Sequence, residues 1–393
     1  MVNQDMEVLK LKILFVVTYF DCGGINRALQ NLLNCVDTNR YDIDIFGLVP
    51  DGMFARLYKN CHILPRHLLL SALMARYSQQ AGLMSLLCLV IKGLNRISKG
   101  YLGRRIKKSA AKKLMKRRYG TVVAFSEGAP TSFVRLMNHP NSVAWIHCDY
   151  ANYRQQNNNV DERVLYSHFK RIVCVANYSR QTFLSIYPEL SSRTDAIYNI
   201  QDDSLMKALS RIDVSEPFPS NSFNIVSVGR LDPVKRLSIV PIIAKRLIEA
   251  GCSIRWYVIG PKGGTQDEFR KLMNNISAEG VCDTVFYLGE KDNPYAYISR
   301  ADLLVNTSIS EACPYVINEA KILHTPIVCT NFGSAPEFID NGVNGFVCSI
   351  EEIPNTMERY IKDKDLQRVI RASISTFTFN NDAILKQVYQ VLD

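Results

Sequence analysis

Glu311-Ala312-Cys313-Pro314-Tyr315-Val316-Ile317-Asn318-Glu319 is the stretch on which the reading of this chain turns. Just before it, Asp302-Leu303-Leu304-Val305-Asn306 has the apolar content of a buried strand and runs into a polar loop. Just after the proline, Val316, Ile317, Ala320 and Leu323 repeat at helical spacing. Pro314 fits the first helical position, where its missing N–H and fixed φ cost nothing. Strand, loop and helix in that order are the building unit of a parallel α/β sheet. Glu311 then falls in the loop beyond the strand, and Glu319 about one and a half turns into the helix. The free N–H groups of a helix start suit an anion. An ionised carboxylate can only accept hydrogen bonds, so the pair suits a ligand that bears hydroxyl groups. Taken singly, each Glu has a plainer explanation. The helix dipole alone favours a carboxylate near an N-terminus, and Glu319 fits a solvated surface.

The same unit recurs upstream. Phe223-Asn224-Ile225-Val226-Ser227-Val228 reads as a buried strand, followed by Gly229 and Arg230, an Asp232-Pro233 turn and a helix from about Lys235. Ligands of open α/β sheets bind beyond the carboxyl ends of the strands. Arg230 offers a planar fork matched to phosphate oxygens and Lys235 a point charge. Near the N-terminus, after a polar tail, Lys12-Ile13-Leu14-Phe15-Val16-Val17 reads as a strand and Thr18 to Cys22 as a loop. Gly23-Gly24 then opens a helix marked by Ile25, Leu29, Leu32 and Leu33, an arrangement that lets backbone approach a phosphate. Val143-Ala144-Trp145-Ile146 reads as another buried strand, with His147 directly after it. Ser126-Glu127-Gly128 follows a strand at 121–125 and reads as a capping loop, with an acceptor pocket as the alternative. Strands alternate with helices on both sides of residue 210, which predicts α/β architecture with parallel sheets. A length of 393 residues suits two domains.

As a set, these motifs resemble the large family of retaining GT-B glycosyltransferases, family 4, also called glycosyl transferases group 1. Glu311 and Glu319 match its E-x7-E motif. Gly333 to Val347 resembles the loop, short helix and Asn-Gly turn that come after it. The resemblance covers most of 223–350 and implies the GT-B fold, two Rossmann-like domains with parallel sheets facing across a cleft. It implies that 1–205 form an acceptor domain and 206–377 a donor domain, with a C-terminal helix at about 378–393 returning to the first. Asn199 matches the segment that ends the first domain, and the linker zone runs on to Pro217 and Pro219. By the same resemblance, Arg230 and Lys235 contact the donor diphosphate, Glu311 sits against the transferred sugar and Glu319 binds the ribose. His147 hydrogen-bonds the sugar or the developing charge, and Gly23, Gly24 and Gly229 line the donor site. Tyr287-Leu288-Gly289 matches the region that meets the base, at Leu288, and Ala312, Cys313, Pro314 and Tyr315 complete the donor loop. The chain departs from the family at Arg236, where Gly is usual, and at Gly333-Ser334, where a Gly pair is common.

The resemblance implies a retaining transferase that uses a nucleotide-diphosphate sugar, UDP-sugar favoured, and a glycan or lipid-linked acceptor in surface polysaccharide or glycoconjugate synthesis. No cofactor and no metal are expected. Asp42-Ile43-Asp44 and Asp363-Lys364-Asp365 spell D-x-D, but read as surface acids at a strand start and in a charged helix. Two rivals stay open: a sugar-nucleotide epimerase on the same plan, and a catalytically silent sugar-nucleotide-binding partner of another transferase. Product analysis without an acceptor separates the first, and donor hydrolysis separates the second.

Charge is distributed unevenly. The chain is +10 overall, yet residues 92–118 hold twelve Lys or Arg and no Asp or Glu, so the remainder is slightly acidic. Upstream, residues 67–94 are rich in Leu and Met, and the apolar run 82–91 is shorter than the ~20 residues a membrane span needs. An apolar helix beside a basic run points to an anionic membrane surface, with Arg104, Arg105, Lys107, Lys108, Lys112 and Lys113 as the contact patch. The alternative is a core helix leading into a solvated basic one. No nucleic-acid motif accompanies the run. Eleven scattered cysteines without C-x-x-C fit reduced thiols rather than a disulfide framework. With no signal peptide read at the N-terminus, the expected location is cytoplasmic, peripheral on the inner face of the membrane.

Overall fold

A computed structural model describes residues 10–21, 23–52, 54–75, 80, 82–216, 218–263 and 266–393. The polar N-terminal tail, Cys22 and Pro217 lie outside the described residues. The chain divides into two compact units, one running to Ile200 and taking in Asn381–Asp393, the other Gln201–Asn380.

The first unit holds a parallel sheet of β1 (Leu11–Val17), β2 (Tyr41–Gly47), β3 (His62–Ile63), β4 (Thr121–Ala124), β5 (Ser142–Ile146), β6 (Arg171–Cys174) and β7 (Thr194–Ala196), in the order β3-β2-β1-β4-β5-β6-β7. Its central strands are near-continuous apolar runs, as strands covered on both faces must be: Ile13, Leu14, Phe15 and Val16 are fully buried. The last helix, Asn381–Leu392, packs in this unit. Thr121 Oγ1 donates to Leu392 O at 2.7 Å, and the Tyr41 hydroxyl donates to the Asp393 carboxylate at 2.8 Å.

The second unit holds β8 (Phe223–Val228), β9 (Ile254–Ile259), β10 (Val285–Gly289), β11 (Leu303–Asn306), β12 (Ile327–Thr330) and β13 (Phe346–Cys348), in the order β10-β9-β8-β11-β12-β13, again parallel. β8 and β11 pair with Ile225 opposite Leu303 and Val226 opposite Leu304. The buried Ser227 hydroxyl donates to Val305 O at 2.7 Å and accepts from the Trp256 indole N–H at 3.0 Å, so the two polar groups of this core satisfy each other. Gly260, beyond β9, is required by close approach. Its φ is +147°, and a Cβ there would lie 1.9 Å from Gly229 O.

Both sheets are doubly wound in one order, with the winding reversing between β1 and β4 in the first and between β8 and β11 in the second. Ligands of such sheets bind at that reversal, beyond the carboxyl ends of the strands.

Of the two D-x-D motifs, the first differs from its sequence reading at Asp44, whereas Asp363 and Asp365 are exposed as expected. Asp44 is not a surface acid but is 1% exposed, taking the Tyr119 hydroxyl at 2.7 Å and Arg117 Nη1 at 3.3 Å. Asp42 pairs with Lys12 at 2.7 Å. In the other motif, Asp363 caps the Lys364–Ser375 helix by accepting from Leu366 N–H, and Asp365 is exposed beside Arg368.

Candidate active site

In the second unit the reversal brings two loops side by side. The loop after β8 is held to the loop after β11 by three hydrogen bonds: Ile309 N–H to Val234 O at 2.7 Å, Thr307 Oγ1 to Lys235 O at 2.7 Å, and Arg236 Nε to Thr307 O at 3.0 Å. Lys235 is not a helical residue as expected. It sits in the turn 233–235, ahead of a 3₁₀ segment, Leu237–Ile239, and the helix Val240–Glu249. The physical reason is Asp232, whose backbone carbonyl and Oδ1 both accept from Lys235 N–H at 3.1 Å and so hold a turn where the helix would begin.

That turn aims Lys235 across the loop junction. Its ammonium forms an ion pair with Glu311 Oε1, and the Ser308 hydroxyl donates to the same oxygen at 2.7 Å. Ser334 Oγ donates to Glu311 O at 2.8 Å, which fixes the backbone of the E-x7-E loop. Arg230 comes directly after Gly229 at the β8 terminus, with its side chain 56% exposed, and pairs with Asp232 Oδ2 through Nη2 at 2.8 Å. One carboxylate, Asp232, therefore orients both cations, Arg230 by its side chain and Lys235 through its backbone. In the sequence, Asp232 stands out only as half of an Asp-Pro turn. The signal for its second role is Arg230, two residues earlier.

Arg236, where the resembled family has Gly, adopts φ +50°. This is the left-handed region that glycine enters without cost and other residues enter at roughly 1–2 kcal/mol. The hydrogen bond of its guanidinium to Thr307 O compensates that strain.

The helix after the loop is Tyr315–Ile322, so Pro314 is its cap residue rather than its first helical position. It is buried nearly all round, polar residues included. Glu319 is 5% exposed, which removes the solvated-surface reading. Lys321 Nζ donates to Phe338 O at 2.7 Å and lies 4.2 Å from the Phe377 ring centre, and burial lowers its pKa. Ala312 and Pro314 are buried, while Cys313 and Tyr315 are half-buried in the loop and first turn. Leu288 lies on β10, which is separated from β8 by β9, so it does not join the Lys235–Glu311 cluster directly.

Gly23, Gly24 and His147 belong to the first unit. Gly23 precedes the helix Gly24–Cys35 with an extended backbone, φ −176°, and a Cβ there would meet none of the described residues beyond its chain neighbours within 4 Å. Glycine is among the residues favoured at such a helix N-cap. His147 stands directly after β5. Its ring packs on Phe125, centroids 4.8 Å apart, and its Nε2 is buried with no hydrogen-bond partner among the described residues. Burial pushes its pKa down to about 3, so the imidazole is neutral at physiological pH and can donate or accept one hydrogen bond per nitrogen.

Glu127 is the residue whose role the sequence conceals. It is more than part of a capping loop: its Oε2 accepts His147 N–H at 3.0 Å, holding the end of β5 to the end of β4. Burial raises its pKa, opposed by hydrogen bonds from the His147 and Glu127 backbone N–H groups. A Glu at a strand terminus is the sole sequence signal for it. Among the described residues, no group of three or more His, Cys, Asp or Glu is placed to hold a metal ion.

Comparison with known proteins identifies the second unit. Residues 210–374 match the model of the family described as glycosyl transferases group 1. That segment is a glycosyl transferases group 1 domain. N-acetyl-alpha-D-glucosaminyl L-malate synthase of Bacillus anthracis is 27% identical over 170 residues, 42% of this chain and 43% of that protein. The N-acetylgalactosamine-N,N'-diacetylbacillosaminyl-diphospho-undecaprenol 4-alpha-N-acetylgalactosaminyltransferase of Campylobacter jejuni is 26% identical over 173 residues, 43% of this chain and 44% of that protein. The matched stretch is thus under half the length of either relative. The crystal structure of Anabaena Alr3699/HepE in complex with UDP and glucose superposes with a TM-score of 0.74 at 20% identity, covering 97% of this chain and 99% of that one. These likenesses establish the fold as GT-B, built of two Rossmann-like units.

Proposed function

We propose that this chain, whose second unit is a glycosyl transferases group 1 domain, transfers a sugar from a nucleotide-diphosphate donor to a glycan or lipid-linked acceptor. The observation that carries the reading is the Lys235–Glu311 pair bridging the ends of β8 and β11 at the winding reversal, with Arg230 beside it. A diphosphate placed there meets two cations that the chain has already oriented. A UDP-sugar is the favoured donor, since Anabaena Alr3699/HepE, of the same fold, has been crystallised with UDP and glucose.

In this reading Arg230 and Lys235 stabilise the charge that grows on the departing diphosphate. Preorganised electrostatic contacts of this kind often supply the largest part of catalysis. Glu311 already holds Lys235 and Ser308 on Oε1. Its other oxygen would accept a sugar hydroxyl, and Glu319 would accept from the ribose. His147, kept neutral by burial, would donate a hydrogen bond rather than a charge. By the family resemblance, Gly23 and Gly24 would let the donor approach the backbone. The acceptor hydroxyl attacks from the face the diphosphate leaves, with retention, no protein nucleophile and no metal, and the departing phosphate takes its proton. The pathway is proposed to be surface polysaccharide or glycoconjugate synthesis.

A thermal-shift panel of UDP-, GDP-, ADP- and dTDP-sugars on the wild type and on Arg230→Ala tests the donor half. A ligand that binds only the folded state raises its apparent stability. One nucleotide class should shift the wild type and fail to shift the variant. Equal shifts in both proteins would refute the assignment.

A further inference from the structure

Two helices of the first unit take no part in the proposed reaction. Gly82–Ile97 and Tyr101–Met115 form a hairpin. Gly100 makes the turn at φ +82°, Ser98 Oγ accepts from Leu102 N–H at 3.2 Å, and Asn95 Oδ1 accepts from Gly103 N–H at 2.7 Å. The connection is therefore built and specific.

The Gly82–Ile97 helix is apolar on two sides, but among the described residues only one side is packed. Cys88 and Ile91 are buried in the core of the unit, with Met84 and Leu87 against it. Leu83, Leu86, Val90, Leu94 and Ile97 recur at helical spacing on a second face and are exposed, from 48% at Leu94 to 87% at Leu83. A helix apolar all round is normally buried all round, and a contiguous exposed apolar face marks an interaction site.

The partner helix is divided differently. Gly103, Ile106, Ala110 and Leu114 are buried, whereas Arg104, Arg105, Lys108, Lys112 and Lys113 are exposed. Among the described residues no carboxylate pairs with any of those five cations, while Arg117 further along pairs with Asp44. Exposed apolar and cationic groups meet at the hairpin turn, where Ile97 and Tyr101 are exposed and Arg105 lies 5.7 Å from the Tyr101 ring centre.

We propose that this hairpin docks the chain on an anionic lipid surface. The Leu83–Ile97 face would enter the boundary between headgroups and acyl chains, and the Arg104–Lys113 cations would lie against lipid phosphates. An apolar face rimmed by unpaired cations is the arrangement of a helix lying in the membrane interface. With 16 residues at ~1.5 Å each, the apolar helix is shorter than the ~30 Å hydrocarbon core and lies along it rather than across it. Among the described residues no helix is long and apolar enough to cross a membrane. A second copy of this chain is a poorer occupant, because it would bring the same uncompensated positive charge to the contact.

The test is vesicle flotation of the full chain without nucleotide, so that its outcome is independent of sugar transfer. The vesicles are phosphatidylcholine alone, or phosphatidylcholine with about one-third phosphatidylglycerol. The chain should float with the anionic vesicles only and be released by high salt. Lys108→Gln combined with Lys112→Gln should weaken partitioning roughly 30-fold. Leu86→Gln combined with Leu94→Gln should abolish it while leaving the circular-dichroism melt unchanged, since both side chains are exposed. Binding to neither vesicle, unchanged binding by the two double variants, or a dimer of the wild type that the leucine variants dissolve would each overturn the proposal.

Discussion

The two winding reversals of this chain share a strand order and differ in electrostatics. In the second unit the reversal is charged and accessible: Arg230 is 56% exposed, Lys235 is paired with Glu311, and both cations depend on Asp232. Beside the reversal of the first unit, where β4 and β5 end, the setting is desolvated: the half-buried Glu127 accepts from the His147 backbone, burial raises the carboxyl pKa, and the imidazole is neutral. One topology thus supports two opposite devices. A cation held by a carboxylate can transfer to an incoming diphosphate without ever being left unpaired. A neutral imidazole whose Nε2 has no partner among the described residues keeps one directed hydrogen bond available. The difference arises from what each loop carries, an Asp-Pro turn after β8 and a half-buried Glu after β4.

The largest effect should fall on the charged side. Lys235→Ala is expected to lower kcat/KM by roughly 10²–10³-fold in a donor-consumption assay, the scale for losing one transition-state contact. Its melting temperature should drop only slightly, because the ion pair is partly solvated. Near-normal turnover would end the claim that this side carries the leaving-group charge.

On the neutral side, pH separates the two junctions. His147 has a folded pKa of about 3 against about 6.5 unfolded, so the unfolded chain binds the extra proton between those values. Its contribution to stability is complete above about pH 6.5 and is lost as pH falls toward 3. Melting curves of the wild type from pH 7 to pH 5 should therefore show an acid-side loss that is reduced in His147→Gln. An identical slope in the two proteins would place the imidazole in water. Glu127 works in the opposite sense. Its raised folded pKa means that its contribution is present at low pH and is lost as pH rises through that value. Glu127→Gln keeps an acceptor for His147 N–H and should melt no lower than the wild type at neutral pH, whereas Glu127→Ala should melt lower.

A smaller effect sharpens the contrast at the β8 loop. Arg236→Ala loses the hydrogen bond to Thr307 O but keeps the left-handed strain, and should cost about 1 kcal/mol in urea unfolding. Arg236→Gly loses the bond and the strain together and should fall within about 1 kcal/mol of the wild type. The reverse ranking would mean that the loop is held by something other than that bond. Smallest of all, Gly23→Ala should leave stability unchanged, because its backbone is extended and its surroundings are open.

Much of this architecture is legible in the chain itself. β8 and β11 are readable because six and four apolar-rich residues stand between turn formers. The helix after Pro314 is readable from its apolar spacing, and Glu311 and Lys235 belong to motifs of fixed spacing. What stays hidden depends on partners distant in sequence. Asp44 looks like a surface acid until Arg117 and Tyr119, more than seventy residues away, close over it. Glu127 looks like a loop residue until the end of β5 reaches it, twenty residues later. Lys235 looks helical because a helix pattern comes after it. Only the local competition from Asp232 delays the helix, and side-chain-to-backbone bonds of that kind leave little trace in apolar periodicity.

Isothermal calorimetry is the most direct test of the charged junction. The nucleoside diphosphate selected by the thermal-shift panel would be compared with its monophosphate, on the wild type and on the Arg230→Ala/Lys235→Ala double variant. The wild type should bind the diphosphate at least about tenfold more tightly than the monophosphate, a difference of about 1.4 kcal/mol, and the ratio should collapse toward unity in the double variant. A ratio that survives both substitutions would show that the diphosphate is held elsewhere and would contradict the assignment of Arg230 and Lys235.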